Sequence, residues 1–186
     1  EAHREVLDGT WRQHIGGYLT GKTVGIIGCG HIGKDLVSLL QNFGCFILAN
    51  DIIEQSDYYN ENDIESVSLE DLLSRADIVT LHVPLNGSTR QILNEKRLSL
   101  MKSSAILINT ARGDLIDENH LKKMLINKQL AAAALDVFAV EPPDDMELLS
   151  LPNFLVTPHI GGSAEEAIIA MGRAAISGLD ENALPE

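Results

Sequence analysis

Six short apolar runs recur along the chain, each separated from the next by a segment long enough to hold a helix. They read TVGIIG (23–28), CFILAND (45–51), DIVTLHV (77–83), AILINT (105–110), AAAALDVF (131–138) and FLVTPH (154–159). Charge enters these runs only toward their ends, which is the pattern of parallel strands buried on both faces. The intervening segments carry helical spacing. Leu36, Leu40 and Phe43 would fall on one face, as would Leu121, Met124 and Leu125, each set covering the sheet. Ser68, Asp117 and Ser163, each followed closely by acidic residues, mark helix starts. Strand and helix alternating this often predict an α/β fold, a Rossmann-like doubly wound parallel sheet. The polar stretch 53–67 receives no element, and its acidic cluster from Asp57 to Glu65 reads as a solvated loop rather than a metal site.

A chain of 186 residues builds one sizeable core, so a single main domain is expected. No apolar run approaches the roughly 20 residues that cross a bilayer, and no membrane association is expected. The net charge of −13 argues against nucleic acid, which needs a basic stripe to displace counterions. Cys29 and Cys45 stand in unrelated contexts without metal-ligand spacing, as free thiols of a reducing cytoplasm would.

The first run leads into Gly28-Cys29-Gly30-His31-Ile32-Gly33, a GxGxxG placed between a predicted strand and a predicted helix. The first glycine permits the tight turn, the second admits a pyrophosphate against the backbone, and the third allows close helix–strand packing. The helix N-terminus offers its unpaired N–H groups to phosphates. Asp51 ends the next strand, where a carboxylate accepts from ribose hydroxyls and repels a 2′-phosphate. With no Arg or Lys in NDIIEQSD, NAD is favoured over NADP.

Three further segments follow strands on the edge where open α/β sheets bind ligands. Arg112, in NTARG (109–113), presents a planar fork suited to a carboxylate, though an ion pair with a neighbouring Asp is the structural alternative. Asp136 could hydrogen-bond a nicotinamide amide, and Glu141 follows in a loop stiffened by Pro142 and Pro143. His159 lies in TPHIGGS (157–163). Interconverting a 2-keto and a 2-hydroxy acid needs a group that gives and takes a proton near neutral pH, a role suited to His. A neighbouring carboxylate would favour imidazolium and orient the ring, and Glu141 is the candidate.

GxGxxG with its following Asp, NTARG, LDVF-x-x-EPP and PHIGGS, in that order, resemble the D-isomer-specific 2-hydroxyacid dehydrogenase family, with its phosphoglycerate dehydrogenases and hydroxypyruvate or glyoxylate reductases. The resemblance implies that Arg112 binds the carboxylate and carbonyl of a small anionic substrate. His159 would be the general acid/base, and Glu141 its partner. It implies His31 and Ile32 over the pyrophosphate, and Thr110, Ala111, Asp136, Gly161 and Gly162 facing the nicotinamide. The LHVPL segment (Leu81 to Leu85), with Val83 and Pro84 as its site residues, and Thr89 would border the cofactor. A homodimer is implied too. Residues 1–20 are expected to form a linker helix region, 21–178 the NAD-binding domain and 179–186 a tail, with the family's substrate domain absent from this chain.

Other residues receive plainer readings. Trp11 and Tyr18 are expected to pack within the linker, and His82 to be a structural histidine. Two alternatives to turnover stand beside the enzyme: an NAD-sensing module like the family's corepressors, and a cofactor-binding fragment without activity.

Overall fold

The computed structural model describes residues 2–181. Helix α1 (Ala2–Leu7) is followed by β1 (Thr23–Ile27), α2 (His31–Leu40), β2 (Phe46–Asn50), α3 (Ser56–Glu61), β3 (Ile64–Ser66), α4 (Leu69–Arg75) and β4 (Ile78–Leu81). Then come α5 (Glu95–Leu98), β5 (Ile106–Asn109), α6 (Glu118–Ile126), β6 (Ala132–Leu135), α7 (Met146–Leu149), β7 (Phe154–Val156) and α8 (Glu165–Glu181). The strands form one sheet in the order β3-β2-β1-β4-β5-β6-β7, with every neighbouring pair parallel. The order reverses direction between β1 and β4, which opens the crevice where such sheets take ligands.

Two apolar layers flank the sheet. Val24 and Ile26 pack with Val37 and Leu40 of α2 and Tyr59 of α3, whereas Ile27 joins Leu72, Leu98, Leu121, Met124 and Leu148 of α4–α7 on the opposite side. The strand alternation thus sends successive residues of β1 into different layers. Each fully buried Leu or Ile adds about 1.5–3 kcal/mol over its exposed state.

The strands end nearly flush. Register places Asn50 beside Ile27, Ile27 beside Leu81, Leu81 beside Asn109, Asn109 beside Leu135, and Leu135 beside Val156. Every segment singled out by its chemistry leaves from this row.

The six expected strands are present, and Ser68 and Asp117 cap α4 and α6 through Asp71 and His120 N–H groups. Several expectations need correction. Residues 53–67 hold α3 and β3, which bury only Tyr59 and Ile64, with Tyr58 packed partly against them, too few to mark a period. Asp57 and Glu61 of the acidic cluster therefore lie on a helix and Glu65 on a strand, with Asp63 in the turn between them. Phe43 is 54% exposed because α2 gives way after Leu40 to a single 3-10 turn that rotates it off the sheet-facing side. Helix α8 starts at Glu165, two residues after Ser163.

The linker region is helical only over Ala2–Leu7. Gly9 at φ +80°, with Gly9 N–H bonded to Val6 O and Thr10 N–H to Glu5 O, closes that helix in a Schellman turn. The segment after it has no regular structure, and Trp11 and Tyr18 stand 86% and 89% exposed rather than packed. At the other end, α8 runs through position 178 to Glu181, and the rest of the expected tail lies outside the described residues.

Candidate active site

Where β1 ends, Gly28 takes φ +93°, and a Cβ there would sit 2.7 Å from Val83 Cγ1 and 2.8 Å from the His82 carbonyl. A side chain on Gly33 would meet Gly28 O at 2.4 Å, so α2 is seated directly on the loop. Gly30, by contrast, faces open space and is the N-cap of α2 without any side-chain cap. Bare N–H groups at the start of a ten-residue helix, beside a position with no Cβ, are an arrangement that could take a phosphate. His31 and Ile32 begin that helix and are exposed. Asp51 follows β2 and ties the loop down, its Oδ2 accepting from Cys29 N–H at 2.7 Å and its Oδ1 from Ile53 N–H at 2.9 Å.

A cleft of about 760 Å3 continues from this loop along the row of strand ends. Ile32, Val83 and Pro84 line one end, then Thr110, Ala111 and Arg112, then Asp136, His159, Gly161 and Gly162. Most of the expected cofactor-facing residues therefore share one cavity. Thr89 does not line it: its hydroxyl is spent on Pro84 O at 2.6 Å and Asn86 N–H at 2.8 Å, holding the 84–89 turn.

Three segments shape the far end. Asn109 is fully buried, its amide donating to Arg112 O and its carbonyl accepting from Ala111 N–H, so the turn bearing Arg112 is fixed from beneath. Among the described residues no carboxylate lies within ion-pair range of Arg112, whose guanidinium is exposed and donates to Ala111 O at 2.5 Å. The structural alternative of an Asp partner is thereby set aside. Asp136, 5% exposed, accepts from Thr157 Oγ1 at 2.5 Å, Ile160 N–H at 2.9 Å and Gly161 N–H at 2.8 Å. Burial pushes its carboxyl up, but these bonds and the nearby His159 outweigh that and hold it below the usual value. It organises the turn that carries His159.

His159 takes φ +54°, uncommon outside glycine, with its N–H bonded to Asp136 O and Thr157 O. Its Nδ1 lies 2.8 Å from Glu141 Oε2, while Glu141 Oε1 accepts Phe138 N–H at 3.0 Å. Both contacts, the His159 bond first, lower the Glu141 carboxyl below its ordinary range. An ionised carboxylate only accepts, so Nδ1 is the donor and Nε2 is left for chemistry. Behind the pair, Phe138, Pro142, Pro143, Leu149, Val156 and Pro158 wall an apolar pocket of about 450 Å3.

Ser163 and Met171 also line the cleft, and the sequence assigns neither to it. The cleft is lined too by His82, which the sequence places near the cofactor as a structural histidine. Its ring is bonded to Thr80 Oγ1 at 3.0 Å, and burial pushes its pKa down. Met171 arrives on α8, and nothing in its neighbourhood in sequence marks it.

The chain matches the family of D-isomer specific 2-hydroxyacid dehydrogenases, NAD binding domain, over residues 1–161. It is 44% identical over 175 residues to a D-3-phosphoglycerate dehydrogenase of Methanocaldococcus jannaschii, covering 92% of this chain and 33% of that protein. To a hydroxypyruvate reductase of Thermotoga maritima it is 42% identical over 165 residues, covering 86% of this chain and 53% of the relative. The crystal structure of a glyoxylate reductase from Paecilomyes thermophila superposes with a TM-score of 0.89 at 32% identity, over 97% of this chain and 55% of that one. This chain belongs to the D-isomer specific 2-hydroxyacid dehydrogenase family and is an NAD-binding domain of it. It spans about half the length of these relatives, or less.

Proposed function

We propose that this domain serves reversible hydride transfer between NAD and C2 of a small D-2-hydroxy acid, with Arg112, Glu141 and His159 as the residues that act on substrate. The observation that carries this reading is the His159–Glu141 pair standing with Arg112, which has no ion-pair partner among the described residues, on the rim of a cleft that begins at the glycine loop. Bound in that cleft, the nicotinamide supplies or accepts the hydride. Arg112 offers its fork to the substrate carboxylate, an attraction that a chain of net charge −13 provides only locally. His159, oriented through Nδ1 by Glu141, gives a proton from Nε2 to the carbonyl oxygen in reduction and takes it from the hydroxyl in oxidation. Glycine-loop N–H groups hold the pyrophosphate, Ile32, Val83 and Pro84 border the cofactor, and Thr110, Ala111, Asp136, Gly161 and Gly162 face the nicotinamide. Asp51 takes the ribose and disfavours a 2′-phosphate.

The substrates named for the relatives, hydroxypyruvate and glyoxylate, are small 2-keto acids and fit an arginine clamp beside an imidazole. Glu141, where formate-oxidising members carry an amide, supports a keto-acid substrate. The rim bearing Arg112 and His159 is open, with half of the His159 side chain exposed, and a further domain closing over it completes the pocket in this reading. Exposed Trp11, Ile15, Tyr18 and Leu155 support a homodimer, and two free thiols a cytoplasmic setting. The strong negative charge supports a reading without nucleic acid, and no helix among the described residues is long and apolar enough to cross a membrane.

The test is NADH oxidation with a panel of small 2-keto acids by the protein that carries this domain, wild type against His159→Asn. Turnover lost with cofactor binding kept supports the assignment. Turnover unchanged would sink it.

A further inference from the structure

Glu118 is a half-buried carboxylate that the chemistry above does not use. It opens α6 directly after Asp117, whose own side chain already caps the helix through His120 N–H. The cap of α6 therefore does not depend on Glu118. Its Oε1 instead accepts Ala139 N–H at 2.7 Å, reaching across to the turn that follows β6.

The position is electrostatically poor. Burial pushes the Glu118 carboxyl up, the Ala139 N–H pulls it down, and Asp114 and Asp145 push it up again. The nearby cation, Lys122, is committed to Asp145 and Glu147, and Arg90 to Asp114. A carboxylate taken out of water among other carboxylates costs stability, which an uncharged side chain there would spare.

What it holds is the turn carrying Glu141. That turn is gripped at three points: Glu118 on Ala139 N–H, Glu141 on Phe138 N–H, and Gly113, where a Cβ would lie 1.9 Å from Phe138 C and 2.2 Å from Ala139 N. Backbone thus rests on backbone between the residue after Arg112 and the residues before Glu141. We propose that Glu118 is a positioning residue that tethers the 138–141 turn against the Arg112–Gly113 loop and so sets the Glu141–His159 pair relative to Arg112. Its value to catalysis rests on the roles assigned to Arg112, Glu141 and His159. The tether itself does not, and it is tested without turnover.

The readouts are NMR signals of the intact chain: the low-field proton of His159 Nδ1–H donated to Glu141, and amide exchange at Phe138 and Ala139. In Glu118→Ala the low-field proton broadens or vanishes, and Phe138 exchange accelerates roughly tenfold or more together with that of Ala139. Glu118→Gln, which keeps an acceptor for Ala139, preserves all three. Should Glu118→Ala not fold, Glu118→Asp withdraws the acceptor by one methylene and is expected to behave alike. Loss confined to Ala139, with the His159 proton and Phe138 protection intact, would overturn the proposal. So would equal loss in Glu118→Gln, which would assign the effect to charge. Failure of NADH to bind any variant, wild type included, would strike the functional reading and leave the tether standing.

Discussion

Glu141 Oε2 receives His159 Nδ1 at 2.8 Å while its other oxygen receives the Phe138 amide, so one side chain both closes its own turn and aims the imidazole. In the proposed reading His159 carries the proton, and His159→Asn removes that carrier without touching the glycine loop. Turnover is expected to fall by roughly 100-fold or more, with NADH affinity held within about twofold. Glu141→Gln should give a smaller loss of turnover, because the amide still accepts but no longer offers a charge. Steady-state kinetics paired with calorimetry separate the two effects, and a parallel loss of cofactor affinity in His159→Asn would make the residue structural.

The Arg112 guanidinium is exposed and, among the described residues, donates only to Ala111 O, which leaves its fork open to the carboxylate proposed for it. Arg112→Ala is expected to raise KM for a 2-keto acid by roughly 10–100-fold, the scale of a lost charge-assisted contact, with NADH binding unchanged. Arg112→Lys should recover only part of this, since an ammonium lacks the planar fork. Full recovery by lysine would make the contact a simple point charge.

Two glycines of one motif, Gly30 at the N-cap of α2 and Gly33 within it, should fail differently. Gly33→Ala drives a Cβ to 2.4 Å from Gly28 O, and denaturant melts are expected to record a loss of about 1–3 kcal/mol or more. Gly30→Ala meets no protein atom within 4 Å, so stability should stay within about 0.5 kcal/mol while NADH affinity drops. Unchanged NADH affinity in Gly30→Ala would remove the pyrophosphate from this loop.

Much of this arrangement was readable before any coordinates. The glycine loop, Arg112, Asp136 and His159 each lie at or within three residues after a strand end, and flush strand ends convert that adjacency in sequence into adjacency in space. Glu141 is brought to His159 only because its turn doubles back onto Phe138, a tertiary consequence that spacing does not encode. Residues 53–67 hid a helix and a strand because an edge strand of three residues and a helix with one buried side chain, Tyr59, leave almost no periodic trace. The polar composition of residues 1–20 fits helix and irregular chain alike, and Gly9 is what ends the helix.

Acid should unfold the domain through identifiable carboxyls. Asp77 is held below its usual range by Thr23 N–H and Lys102, and Asp145 by Lys122 and Leu148 N–H. Asp136 is lowered as well, its hydrogen bonds outweighing burial. Depressed native values mean that the unfolded chain binds more protons on acidification, so these contributions are complete above the ordinary carboxylate range and are lost as pH falls through the native values. Glu118, raised chiefly by burial, acts in the opposite sense and favours the native state less as pH rises through its range. Denaturant midpoints are expected to decline below about pH 4, and less steeply in Asp77→Asn than in the parent. A midpoint independent of pH in that region would contradict these assignments.

The most direct test of the central claim is calorimetric titration of the chain with NADH and, separately, with NADPH. Asp51 at the end of β2, bound to the glycine loop through Cys29 N–H, predicts that NADH binds and that NADPH binds at least about tenfold more weakly. Binding of neither cofactor, or tighter binding of NADPH, would contradict it.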